Sequence, residues 1–168
     1  EAYELLLKED FPSWLYQVKM GATTVWEHWD GLKPDGTMWS ADMNSFNHYA
    51  YGAIGEWLYR VVAGIEADDA APGYKHIIFQ PQTGGGLTEV KGSYDSVYGT
   101  VGCSWKAESE RILLKVQVPA NTTASIVLEK GAVPEDGDVK FTCRDGIYQA
   151  SVGSGTYTAA YRRQDTSL

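Results

Sequence analysis

The chain is poor in cysteine, histidine and positive charge, and it holds no long apolar run. Two cysteines, Cys103 and Cys143, are too few for a disulfide framework, and they lack metal-ligand spacing. Each falls in an alternating pattern on the side of apolar neighbours, Val101 and Trp105 for the first and Phe141 for the second. Both therefore read as buried thiols, with a bridge between them left open. The three histidines, His28, His48 and His76, are scattered, which argues against a histidine metal cluster. No metal and no cofactor is expected. With 14 basic against 22 acidic residues the net charge is -8, so the basic face that a nucleic-acid partner requires is missing. No segment is apolar for long enough to span a bilayer, and none has the charged start and apolar core of a signal peptide, so no membrane partner is expected. The chain begins with Glu1 rather than Met and opens directly into helical sequence. That suggests a piece of a longer protein and leaves its compartment open, extracytoplasmic or cytoplasmic.

Aromatic residues, by contrast, are plentiful: 6 Trp, 11 Tyr and 4 Phe, with all the tryptophans except Trp105 lying between Trp14 and Trp57. Such local enrichment suits a large aromatic core or a carbohydrate cleft, and core is the default. The stretch Ala22-Thr23-Thr24-Val25-Trp26-Glu27-His28-Trp29-Asp30-Gly31 is the focus. Its β-branched residues disfavour helix through Val25. An extended run as far as Trp29 places Glu27 and Trp29 on one face and Trp26 and His28 on the other. A carboxylate beside an aromatic ring suits a sugar site, where the ring covers the apolar face of a pyranose and the carboxylate handles a hydroxyl or a water. The alternative is a solvated surface charge.

Residues 1–10 read as the end of an amphipathic helix, interrupted at Phe11-Pro12. A second helix starts near Pro12 or Ser13 and ends at Gly21. Leu32-Lys33-Pro34-Asp35-Gly36 is a turn signature. The aspartates Asp30, Asp35 and Asp42 do not have the spacing of a calcium loop. Asn44-Ser45 offers an N-cap for a helix over residues 45–63, whose apolar positions from Phe46 to Val62 form one stripe. Residues 65–73 read as a connector. Beyond it the period changes to two: His76-Ile77-Ile78-Phe79 is a strand, Gly84-Gly85-Gly86 a turn. Alternating runs through Val101 to Ala107, Ile112 to Val118, Ala124 to Leu128 and Tyr157 to Tyr161 indicate an antiparallel sandwich. Asn121-Thr122-Thr123 is formally a glycosylation sequon, a pattern common by chance.

The focal stretch, with Met43-Asn44-Ser45-Phe46-Asn47-His48-Tyr49-Ala50-Tyr51-Gly52 and Gly55-Glu56-Trp57-Leu58-Tyr59-Arg60, closely resembles bacterial α-L-rhamnosidases of glycoside hydrolase family seventy-eight. Val118-Pro119-Ala120-Asn121-Thr122-Thr123-Ala124 is similar to that family's C-terminal β-sandwich. The resemblance implies an α+β chain in two parts: residues 1–69, the last helices of an (α/α)6 barrel, and residues 70–168, an antiparallel β-sandwich accessory domain. It implies a bacterial, inverting glycosidase that removes terminal rhamnose, with Glu27 as general base and His48 as a sugar contact. The spacing of these two residues matches the family's. The general acid belongs to an earlier part of the barrel, absent from this chain, so the isolated fragment is expected to be inactive. The expected partners are a rhamnose-containing glycoside or polysaccharide and the remainder of the parent chain.

An inverting hydrolase separates its carboxyl groups by roughly 6.5–9.5 Å to admit a water. Glu27 must then stay ionised, which limits how apolar its pocket is. His48, in the first turn of the expected helix, meets the positive end of the dipole and is expected to be neutral. Trp29 and Trp39 are candidates for an apolar wall against the methyl group of a deoxysugar. A helical tail without its barrel partners exposes an apolar stripe, so self-association is expected. Two other readings stand beside this one. The β half is a noncatalytic carbohydrate-binding module if Tyr94, Tyr98 and Tyr148 share an exposed face, or the chain belongs to another (α/α)6 glycosidase.

Overall fold

The computed structural model describes residues 1–135 and 137–163. The chain divides into two compact units, Glu1–Glu56 and the residues from Trp57 onward.

The first unit is built from short helices and turns. Helix α1, Ala2–Leu7, buries no residue. Helix α2, Trp14–Lys19, begins where expected, because the buried Ser13 hydroxyl accepts the Tyr16 N–H at 3.0 Å. Gly21, at φ +89°, turns the chain out of it. The helix expected over 45–63 starts later. Residues 45–49 are irregular, a 3-10 turn covers Ala50–Ala53, α3 covers Ile54–Trp57, and a π-helical segment covers Leu58–Ala63. Ser45 is not its cap: its hydroxyl accepts the Asn47 N–H at 3.2 Å. The cause is competition for backbone groups. The Ser45 carbonyl accepts the Glu27 N–H, and the His48 N–H donates to the Val25 carbonyl, so neither group is free for a helical ladder. The apolar stripe is largely open, as expected of a helical tail without its barrel partners, although Val62 at its end is buried. Tyr49 is 89% exposed, and of the large apolar side chains in residues 1–56 only Tyr16 and Trp26 are buried.

The second unit is the expected sandwich. Its strands are β1 Ile65–Ala67, β2 His76–Phe79, β3 Glu89–Ser96, β4 Gly99–Glu108, β5 Arg111–Val118, β6 Thr123–Val127, β7 Ala132–Pro134, β8 Thr142–Arg144, β9 Ile147–Val152 and β10 Gly155–Arg163. One sheet has the order β1-β2-β6-β9-β8 and the other β3-β4-β5-β10-β7. Every pairing is antiparallel except β2 with β6, which is parallel. Strand β1 lies where a connector was expected. It pairs Ile65 with Phe79, and both side chains are fully buried.

The alternation read from the sequence is the packing pattern. Val101, Cys103 and Trp105 face Ile112, Leu114 and Val116 within one sheet, and Ile77, Phe79, Ala124 and Ile126 of the other meet them in a common core. Gly64 caps the π-helical segment at φ +70°, and the Trp105 indole N–H reaches back to the Val62 carbonyl at 2.7 Å. Cys143 departs from expectation. It is exposed on the short strand β8, while Cys103 is buried and both are free thiols. Three residues of β8 are too few to close that end of the sheet over the side chain.

Candidate functional site

Helix α2 fixes the start of the focal loop. Its buried Gln17 side chain donates to the His28 carbonyl at 3.0 Å, and the buried Tyr16 hydroxyl donates to the Leu32 carbonyl at 2.8 Å. Burial, then the charges of Asp30 and Asp35, push the Tyr16 hydroxyl above its usual range, so it remains a donor. The Gly31 N–H closes a turn onto the His28 carbonyl at 3.2 Å.

This turn ends the expected alternation after Glu27. Trp26 is buried and meets Phe46 edge-on at 5.1 Å between ring centroids. His28 stacks on Trp39 at 3.9 Å, and its Nε2 is buried without a partner. Trp29 does not lie beside Glu27 as a free ring. It stacks on Tyr51 at 3.9 Å and meets Trp14 edge-on at 4.9 Å, while the Trp14 indole N–H donates to the Tyr51 carbonyl.

Glu27 is half-buried and held from both ends. Its N–H donates to the Ser45 carbonyl at 2.9 Å, and its Oε2 accepts the Ser45 N–H at 3.0 Å. Next to this pair the Thr24 hydroxyl donates to the Phe46 carbonyl, and the His48 N–H donates to the Val25 carbonyl at 2.8 Å. The backbones that carry Glu27 and His48 are thus laced together. The His48 ring is half-exposed, parallel to Tyr49, and its Nδ1 accepts the Ala50 N–H at 3.4 Å. With Nδ1 so used, Nε2 is the ring nitrogen left for another partner.

The aspartates serve turns. Asp35 accepts both the N–H and the hydroxyl of Thr37, and these bonds hold its carboxyl below the usual range. No three His, Cys, Asp or Glu side chains among the described residues are grouped as metal ligands would be.

Two family models match in succession: the bacterial alpha-L-rhamnosidase 6 hairpin glycosidase domain over residues 1–62, and the bacterial alpha-L-rhamnosidase C-terminal domain over residues 64–141. The chain belongs to the bacterial α-L-rhamnosidase family. A rhamnosidase of Streptomyces avermitilis is 39% identical over 93% of this chain, which spans 15% of that protein's length. One from Formosa agariphila is 44% identical over 74% of the chain, which spans 13% of it. Among solved structures, the Streptomyces avermitilis rhamnosidase complexed with L-rhamnose matches 95% of the chain at 38% identity and a TM-score of 0.81, and the chain covers 16% of it. The Aspergillus terreus rhamnosidase matches 94% at a TM-score of 0.80 and 34% identity.

The sequence singles out Glu27, His48 and Trp29, but it reads Asn44-Ser45 as a helix cap and gives Tyr51 no role beyond the helix expected over residues 45–63. A short strand-like pairing of 24–27 with 45–48 has no periodicity of its own, so nothing local announced the link.

Proposed function

We propose that this chain is the C-terminal part of an inverting α-L-rhamnosidase, a bacterial glycoside hydrolase that cleaves terminal α-L-rhamnosyl linkages. Residues 1–62 are the end of its catalytic barrel and the strands from Ile65 onward its accessory sandwich. Glu27 is the general base and His48 a hydroxyl contact. Trp29 is an apolar contact through the part of its indole that Tyr51 and Trp14 leave uncovered. The general acid comes from the remainder of the parent chain.

The observation that carries this reading is the hold on Glu27. One carboxylate oxygen is tied to the Ser45 N–H. An oxygen fixed in this way leaves the other aimed in one direction, as a base must be to take a proton from a positioned water. His48 leaves the partner segment only three residues after Ser45, and its Nε2, the nitrogen not used within the loop, is suited to a sugar hydroxyl. Family membership and the L-rhamnose complex of the Streptomyces avermitilis relative support rhamnose as the sugar.

The test is Glu27→Gln in the intact parent, assayed on an aryl α-L-rhamnoside. Loss of kcat by about a hundredfold or more with little change in KM is expected. An unchanged kcat removes Glu27 from the base role.

A further inference from the structure

We propose that Asn44 is a positioning residue for Glu27, acting through the main chain of Ser45; the proposal rests on the reading of Glu27 as general base. The contact that holds the carboxylate is the Ser45 N–H, not the Ser45 hydroxyl, which is engaged with the Asn47 N–H. Whatever fixes the peptide between residues 44 and 45 therefore fixes the carboxylate.

Asn44 supplies that anchor. Its side-chain Nδ2 donates to the Gly31 carbonyl at 2.9 Å, and the Trp39 N–H donates to the same oxygen at 3.1 Å, which uses both of its lone pairs. Gly31 is itself closely packed. It is buried, and a Cβ there would stand 3.1 Å from the Trp26 ring, 3.3 Å from Phe46 and 3.4 Å from the Asn44 Oδ1. The amide thus ties the returning end of the loop, at residue 44, to its start, four residues beyond Glu27.

The other arm of the amide identifies what it contributes. Asn44 Oδ1 is buried with no hydrogen-bond partner, which is destabilising. Exchanging the two arms would set two acceptors against each other at Gly31, so the orientation is fixed by chemistry. A leucine of similar volume would pack there without an orphaned acceptor. The contribution that offsets that cost is the Nδ2 donor, and what the donor holds in place is the peptide that aims the base.

The experiment is a double-mutant cycle in the intact parent, with Asn44→Leu and Glu27→Gln separately and together. Asn44→Ala is run beside them and folding is followed by thermal melting. With Glu27 present, Asn44→Leu should lower kcat about tenfold or more and change KM less than about twofold. With Gln at position 27 it should lower kcat no further, because there is no base left to aim. The same factor in both backgrounds, or parallel losses in kcat, KM and melting temperature, means that Asn44 only packs and overturns the proposal. So does wild-type kcat in both Asn44 variants. Wild-type kcat in Glu27→Gln alone overturns the base reading, and this proposal with it. Loss of kcat in Glu27→Gln with none in the Asn44 variants leaves the base reading standing and rejects Asn44 alone.

Discussion

Glu27 and Ser45 are joined twice, through the Glu27 N–H to the Ser45 carbonyl and through the Ser45 N–H to the Glu27 carboxylate. In an ordinary antiparallel pair the second bond would end on the Glu27 carbonyl. Here the side chain takes that place, so the carboxylate is part of the backbone pairing and cannot swing without breaking it. A hydrogen bond to a charged group contributes about 1.5–3 kcal/mol, enough to select one rotamer of a half-buried glutamate.

On the proposed reading the isolated chain carries one half of an acid and base pair and should not turn over an aryl rhamnoside. Its first unit should also self-associate, since Leu5, Leu7, Phe11, Val18, Met43 and Tyr49 are exposed there. Measurable turnover would contradict the first expectation. A monodisperse monomer in light scattering would contradict the second.

The two thiols should separate cleanly. Burial pushes the Cys103 thiol up to about 12, while Cys143 lies in solvent. At neutral pH a thiol-reactive dye should label one cysteine in the native chain and two after denaturation. Cys143→Ser should abolish native labelling, and residual native labelling would place Cys103 within reach of solvent.

Glu135 should give the sandwich an acid-sensitive margin. Its carboxylate accepts Arg162 Nε at 2.5 Å and Arg111 Nε at 2.7 Å, and these two arginines stand directly opposite each other on β10 and β5. The hydrogen bond from Arg162, then that from Arg111, holds the Glu135 carboxyl below the ordinary carboxylate range. A carboxyl lowered in the folded state stabilises above its unfolded value, and that stability is lost as pH falls through the folded one. The advantage of the wild type over Glu135→Gln in urea unfolding should therefore be full near neutrality and vanish in acid. A difference that does not depend on pH would assign the effect to packing.

Gly64→Ala should destabilise the sandwich by more than about 2 kcal/mol. Its φ is +70°, and an added Cβ would lie 2.1 Å from the Pro81 nitrogen, at the point where the Gly64 carbonyl also accepts the Gln80 N–H. The midpoint of urea unfolding measures this; a change under about 0.5 kcal/mol would mean that the backbone moves aside freely.

The order of helix, turn and sandwich was legible because alternation at period two is a property of neighbouring residues. Val101 to Trp105 and Ile112 to Val118 declare their buried faces without reference to anything distant. The proposal of Glu27 and His48 as site residues rests likewise on motif. Three features were settled only by tertiary structure. The helix start moved from Ser45 to Ala50 because a segment some twenty residues earlier claimed the backbone groups at 45 and 48. Trp29 stacks on Tyr51 instead of standing as a free ring, in a turn that Gln17 and Tyr16 of α2 pin at His28 and Leu32. Cys143 came to solvent because its strand lies at the edge of its sheet. In the first two cases the deciding partner is remote in the chain, and a local pattern records propensity but not which long-range hydrogen bonds will compete for the same groups; the third turns on the order of strands in the sheet, which no local pattern states.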